Sequence, residues 1–184
     1  MSSILIPYGT TEGQTARIAE VIADVIRDHG GEVETVDIRD APELIPDGFD
    51  GVIVGSSIHM SRHDKRVVDF VRRNRDRLER QPAAFFSVSL AAHGDTEEAE
   101  GYVEEFEQQT GWRPTKIALF SGALLYTHYG FVKRHMMKKI AHDKPGHLDT
   151  DTSRDYVYTE WDGVKHFAEA FLADLPIGGS RATD

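Results

Sequence analysis

The sequence predicts an α/β fold: a three-layer sandwich with a five-stranded parallel sheet and an insert near the last strand. Three observations predict it. Short apolar runs alternate with amphipathic helical patterns along most of the 184 residues. One run, Asp50-Gly-Val-Ile-Val-Gly55, is apolar without alternation, as in a parallel strand covered on both faces. A turn rich in hydroxyls and glycine joins the first run to the first helical pattern, where a doubly wound sheet carries its ligand.

The elements follow in order. Ile4–Tyr8 is the first strand. Thr15–His29 is a helix, with Ile18, Val21, Ile22, Val25 and Ile26 on one face, and Gly30-Gly31 ends it. Val33, Val36 and Ile38 mark a second strand, and residues 50–55 a third. Asp64–Arg80 is a helix with Val67, Val68, Phe70, Val71 and Leu78 turned inward. Ala83–Leu90 is the fourth strand, Thr96–Thr110 an acidic helix, Lys116–Ser121 the fifth strand and Trp161–Leu175 the closing helix. From Gly122 to Tyr158 the chain leaves this plan. It holds a basic helix, Gly130–Ala141, and a polar loop, Lys144–Asp155. The expected organisation is one domain over 1–176, with its insert at 122–158 and a frayed tail at 177–184.

Composition narrows the function. Hydrophobic residues make up 40% and charged residues 28%, ordinary for a packed globule. Cysteine is absent, which removes disulfides, thiol catalysis and thiolate-bound metals. A net charge of −10 argues against general nucleic-acid binding. Met1-Ser-Ser3 leads straight into a strand without a basic leader, and no run approaches the ~18 apolar residues of a spanning helix. The expected location is cytoplasmic, with peripheral contact at the inner face of the cell membrane. Charge is uneven: Asp95–Glu107 carries seven acids and no base, and Lys133–Lys144 five bases and one acid.

The turn Tyr8-Gly-Thr-Thr-Glu-Gly-Gln-Thr-Ala16 is the candidate binding loop. Free N–H groups and the helix dipole make such a turn an anion site. It lacks the Lys of a nucleotide P-loop and the Gly-x-Gly-x-x-Gly of a dinucleotide loop. An acid, Glu12, with no base suits a terminal monophosphate held by hydroxyls and amides. Thr10, Thr11 and Thr15 supply the hydroxyls, Gln14 flanks them, and Gly13 permits close approach. The plainer alternative is a hydroxyl-rich cap on an ordinary helix. Strand three ends in Val54-Gly-Ser56 rather than an aspartate, which excludes a phospho-receiver pocket.

The segment Thr10–Thr15 resembles the phosphate loop of the flavodoxin-like family, which binds FMN. The resemblance implies that two further loops flank the flavin ring: Ser56, Ser57, Ile58 and His59 (continuing to Met60 and Ser61), and Leu90, Ala91, Ala92, His93, Gly94 and Asp95. Neither loop offers the aromatic side chains that electron-carrier flavodoxins stack on the ring. The likeness runs further. Gly55-Ser-Ser-Ile-His59, Phe85-Phe-Ser-Val-Ser-Leu90, Gly111-Trp-Arg-Pro114, Ser121-Gly-Ala-Leu124 with Tyr126, Asp149-Thr-Asp-Thr152 and Tyr158-Thr-Glu-Trp161 resemble the flavodoxin-type, menaquinone-dependent protoporphyrinogen oxidase family. That likeness implies an FMN enzyme of haem biosynthesis, with a porphyrinogen substrate and a membrane quinone as acceptor.

His59, His93 and Tyr126 are the candidate catalytic side chains. Lys133, Arg134 and Arg62 are candidates for pairing with substrate propionates. No metal site is expected: His135 and His142 are about 10 Å apart along a helix, and His59 with His63 lacks a third ligand. The stretch Phe131–Lys139 reads either as a solvated helix with Val132, Met136 and Ile140 inside, or as a contact with an anionic bilayer. The alternative function is an electron carrier whose acidic helix, Asp95–Glu107, docks a protein redox partner.

Overall fold

The computed structural model describes residues 1–176; the frayed tail expected at 177–184 lies outside the described residues. Five strands form a parallel sheet: β1 (Ser3–Gly9), β2 (Glu32–Asp37), β3 (Gly51–His59), β5 (Ala83–Ser89) and β6 (Lys116–Ser121), in the order β2-β1-β3-β5-β6. A sixth, β4 (Arg62–His63), pairs antiparallel with the end of β3. Two helices cover each face. Strand side chains alternate between those faces, so neighbours in sequence enter different cores. Ile4, Ile6, Ile53, Phe86 and Phe120 pack against α1 (Gln14–Asp28) and α5 (Trp161–Ala173). Leu5, Val52, Val54 and Phe85 pack against α2 (Lys65–Arg80) and α3 (Thr96–Thr110), joined by Phe106 and Trp112. Burial of each large side chain contributes roughly 2 kcal/mol, so both layers are strongly held.

The termini of the elements follow local chemistry. The Asp64 carboxylate accepts the Arg66 N–H and caps α2. Asp95 accepts the Glu98 N–H and caps α3. At the carboxyl end of the sheet, small residues sit side by side: Gly9 beside Ser56, Ser56 beside Ser87, Ser89 beside Ser121. The sheet therefore ends in a shallow, polar shelf rather than a packed edge.

Two expectations change. Ser56–His59 is strand rather than loop: β3 continues and turns back as β4, pairing His59 with Arg62 and Ile58 with His63. The two residues of the turn, Met60 (φ 49°) and Ser61 (φ 62°), both have positive φ, as a two-residue type I′ hairpin requires. Neither is glycine, so the turn is strained. Val132 and Met136 are not inside; they are 79% and 52% exposed, beside Phe131 at 86%. Polar anchors on the other side of the helix turn them outward.

The insert has a core of its own. It comprises β7 (Ala123–Leu124), a 3-10 turn (Tyr126–His128), α4 (Phe131–Asp143) and β8 (Tyr156–Val157), with β7 and β8 paired antiparallel. Leu124, Tyr126, Tyr129, Ala141 and Leu148 are buried together, with Leu90 and Met137 against them. Its loop meets the main domain backbone to backbone: a Cβ on Gly94 would lie 2.3 Å from the Gly146 Cα, and one on Gly146 1.9 Å from the His93 oxygen. Both glycines also have positive φ, 105° and 102°. No helix among the described residues is long and apolar enough to cross a membrane.

Gly146→Ala is expected to lower unfolding stability by about 2 kcal/mol. It should also raise amide hydrogen exchange within 122–158 ahead of the rest. Urea denaturation with exchange mass spectrometry checks both.

Candidate functional site

The carboxyl ends of β1, β3, β5 and β6 open into a cavity of about 220 Å³. Its floor is the loop from Thr10 to Thr15. The Thr10 Oγ1 accepts the Gly13 N–H at 2.9 Å, folding the loop on itself. Gly13, at φ 95°, turns the chain into α1, and among the described residues no heavy atom lies within 4 Å of the Cβ position it lacks. The backbone there is open to a ligand. Thr15 is 1% exposed, and its Oγ1 has no hydrogen-bond partner among the described residues. An orphaned buried hydroxyl costs about 1–3 kcal/mol, and this one lies at the start of a helix, where N–H groups are also unpaired. Gln14 is anchored elsewhere, its Nε2 donating to Thr159 Oγ1 at 2.8 Å; that hydroxyl donates to the Ser121 carbonyl at 2.6 Å.

Glu12 points to the insert. Its carboxylate accepts the Tyr129 hydroxyl at 2.8 Å and pairs with the Lys133 ammonium. Lys133 also stands 4.5 Å from the centre of the Tyr129 ring. Burial, and then Glu12, pushes the Tyr129 hydroxyl far above its ordinary value, so it remains a donor. The loop that lacks a base in sequence has one in space. At the other end of α4, Lys144 pairs with Glu98 of α3, and Tyr102 donates to the same carboxylate at 2.6 Å. Burial opposes the charge on Glu98, but Lys144 and Tyr102 outweigh it and hold its pKa low. Burial and Glu98 push Tyr102 up to about 12. Pinned at both ends, α4 lays Met137, Ile140 and Lys144 along the cavity wall.

Of the residues named from sequence, Thr10, Thr11, Glu12, Gln14, Thr15, Ser57, Ile58, His59, Leu90 and Ala91 line the cavity. Ser56 is fully buried beneath it. Ala92, His93, Gly94 and Asp95 are not among its walls: the His93 ring packs on Tyr158 at 4.4 Å, Gly94 meets Gly146, and Asp95 caps α3. Tyr126 is buried in the insert core, its hydroxyl donating to the Asp149 carbonyl at 2.7 Å. Of the three candidate catalytic side chains, His59 alone faces the cavity. Sequence reasoning missed Tyr102, Tyr129, Met137, Ile140 and Lys144. Neither of the segments 56–61 and 90–95 brings an aromatic side chain to the cavity; Tyr102 of α3 and Tyr129 of the insert do, and no local pattern signals that. No group of three or more His, Asp or Glu side chains that could hold a metal lies together among the described residues.

His63, paired with His59 only as a possible metal ligand, takes a different place. It is buried, its ring edge-on to Phe85 and Phe106, with Nε2 2.9 Å from Ser87 Oγ. Burial pushes its pKa down to about 4.

Comparison with known proteins gives consistent results. The family model of the flavodoxin domain matches residues 5–151. A protein of Escherichia coli strain K12 named protoporphyrinogen IX dehydrogenase (quinone) is 33% identical over 177 residues, covering 94% of this chain and 97% of that one. A protein of Leishmania major with the same name is 32% identical, covering 94% of this chain and 75% of that one. Among solved structures, oxidised flavodoxin 1 of Bacillus cereus superposes with TM-score 0.58 at 19% identity, covering 95% of this chain and all of that one. Two-electron reduced flavodoxin of Megasphaera elsdenii superposes with TM-score 0.55 at 15% identity, covering 92% and 98%. These two likenesses establish the fold.

The depressed His63 pKa gives a signed pH dependence. The folded state favours the neutral ring, so its stabilisation is complete above about pH 6.5 and is lost as pH falls toward 4. The loss is at most on the order of 3 kcal/mol. Urea midpoints between pH 7.5 and 4.5 should fall accordingly, and His63→Gln should flatten the profile by about one proton.

Proposed function

The chain belongs to the flavodoxin domain family, and we propose that it is an FMN-dependent oxidoreductase that dehydrogenates protoporphyrinogen IX with a quinone as acceptor. The observation that carries the reading is the unpartnered, buried Thr15 hydroxyl at the start of α1, below the open backbone of Gly13. That arrangement fits a phosphate monoester, which needs donors and no fixed base. The names of the relatives that align over nearly the whole chain, insert included, support the substrate and the acceptor.

FMN supplies the two-electron chemistry when bound. The residues of the chain do the rest. The loop from Thr10 to Thr15 holds the phosphate with its hydroxyls and amides. Ser57, Ile58 and His59 on the β3 side, and Leu90 and Ala91 after β5, form the walls for the ring. Met137, Ile140 and Tyr129 keep water from the buried side. His59 is the titratable side chain placed to hold or pass a proton at the cavity mouth. Residues 1–176 act as one domain, and the insert is its substrate- and acceptor-facing part.

A plain electron carrier would present the flavin edge to a protein partner. Here α4 walls the cavity, which favours a small organic substrate. The outward apolar residues Phe131, Val132 and Met136, interspersed with His135 and Lys139, suit contact with an anionic bilayer, where a membrane quinone resides. These residues support a reading in which the protein works peripherally at the cytoplasmic face of the membrane.

The decisive experiment is an absorption spectrum of the FMN-loaded protein, mixed anaerobically with protoporphyrinogen IX and then with a menaquinone analogue. Bleaching by the first and recovery with the second is the expected result. A flavin that ignores the porphyrinogen overturns the reading. Thr15→Val should stabilise the ligand-free protein by about 1 kcal/mol, because an unpaired hydroxyl is gone. It should weaken FMN about tenfold while leaving riboflavin unchanged, as fluorescence titration would show. The double variant Phe131→Asp, Val132→Asp should lose at least tenfold in binding to anionic vesicles without loss of FMN.

A further inference from the structure

A second cleft, about 530 Å³, lies on the other side of the β3–β4 hairpin. It shares Thr11, Ser57, His59 and Met60 with the main cavity, so the hairpin is a common wall. Its own side chains include Arg62, Arg66 and Asp64. In a chain of net charge −10, the surface at large repels anions. A pair of arginines beside the cavity is therefore a local exception with consequences for anionic ligands.

We propose that this cleft is a carboxylate subsite, in which Arg62 and Arg66 receive the propionate groups of a tetrapyrrole lying against the main cavity. The proposal rests on the oxidoreductase reading above and adds the residues that select the substrate. It follows by elimination among the basic side chains around the cavity. Lys133 is paired with Glu12, and Lys144 with Glu98. Arg134 donates to the Tyr126 carbonyl at 3.0 Å and to the Tyr129 carbonyl at 3.1 Å. Each is committed to holding the insert in place. The Arg62 side chain has no hydrogen-bond or ion-pair partner among the described residues. Arg66 is held by Asp64 through Nε and Nη2, at 3.1 and 3.0 Å, which fixes its plane and leaves Nη1 to donate.

The hairpin positions the free arginine. His59 and Arg62 are directly opposed across the antiparallel pair, so their side chains share a face. The strained two-residue turn, with Met60 and Ser61 at positive φ, keeps that pairing tight. A longer, relaxed loop would let Arg62 drift. Arginine rather than lysine suits the task, because its planar fork matches a carboxylate with two parallel hydrogen bonds. Asp64 lowers the net charge of the cleft, so it suits singly charged carboxylates better than a second phosphate dianion.

The test uses the FMN-loaded protein and protoporphyrin IX, the stable product, against its dimethyl ester, in which the carboxylates are masked. Binding is followed by quenching of flavin fluorescence. The wild-type protein should prefer the free acid at least tenfold. Arg62→Gln should weaken the acid by about tenfold, leave the ester within twofold and leave FMN affinity unchanged. Arg73→Gln, on the exposed outer side of α2, should alter none of these. Equal effects of Arg62→Gln on acid and ester, or none on either, overturn the subsite. If the wild-type protein oxidises the porphyrinogen and Arg62→Gln does so with unchanged KM, the subsite falls and the enzyme reading stands. If the wild-type protein binds neither porphyrin, both fall.

Discussion

The contact of Glu12 with Lys133 and Tyr129 is the point on which the site depends. It joins the loop after β1 to a helix more than a hundred residues later in the chain, and through it the insert becomes a wall of the cavity. As an isolated ion pair it is weak: the two side chains remain 26% and 37% exposed, and pairs of that kind contribute about 1 kcal/mol or less. Its strength is cooperative. The Tyr129 hydroxyl shares the carboxylate, the Glu98–Lys144–Tyr102 cluster fixes the far end of α4, and the Gly94–Gly146 contact locks the loop that follows. With both ends held, the small core around Tyr126 has only one way to sit on the sheet.

The same contact resolves an electrostatic oddity. An acid in a loop proposed to hold a phosphate disfavours the anion, and the loop itself, Tyr8–Ala16, contains no base. Lys133 offsets that charge in space, so the loop is close to neutral before any ligand arrives. The Thr10 Oγ1 folds the turn by accepting the Gly13 N–H, while its own proton and the buried, unpartnered Thr15 hydroxyl are left to donate.

The polar contacts that seat the insert also decide what it exposes. Lys133, Arg134, Met137 and Ala141 face inward, and the stripe carrying Phe131, Val132 and Met136 is left in solvent. In sequence the inward side looks like the outer one, because it carries the charges. Helical periodicity finds a face but not its direction when ion pairs, rather than apolar burial, anchor the helix. The hairpin is a second case. Ser56–Ser61 reads as a loop, since Met-Ser has none of the Asn-Gly character of a tight turn. Pairing with β3 imposes the strained geometry instead.

The sequence by itself determined the sheet, its four covering helices and the hydroxyl- and glycine-rich turn into α1, because each depends on local chemistry. Apolar period, capping residues and the spacing of glycines and hydroxyls are all short-range. It also carried the resemblance that led to the flavin reading. It placed Thr10–Thr15, Ser57–His59 and Leu90–Ala91 together, since the carboxyl ends of parallel strands must meet. Only the tertiary structure decided that Tyr126 and His93 face the insert rather than the cavity. The same holds for Tyr102 and Tyr129 as the nearby aromatics, and for Lys133 and Arg134 as structural cations, with Arg62 left over. Those outcomes rest on side chains tens of residues apart competing for the same few partners, and which pair wins depends on distances that no local pattern encodes.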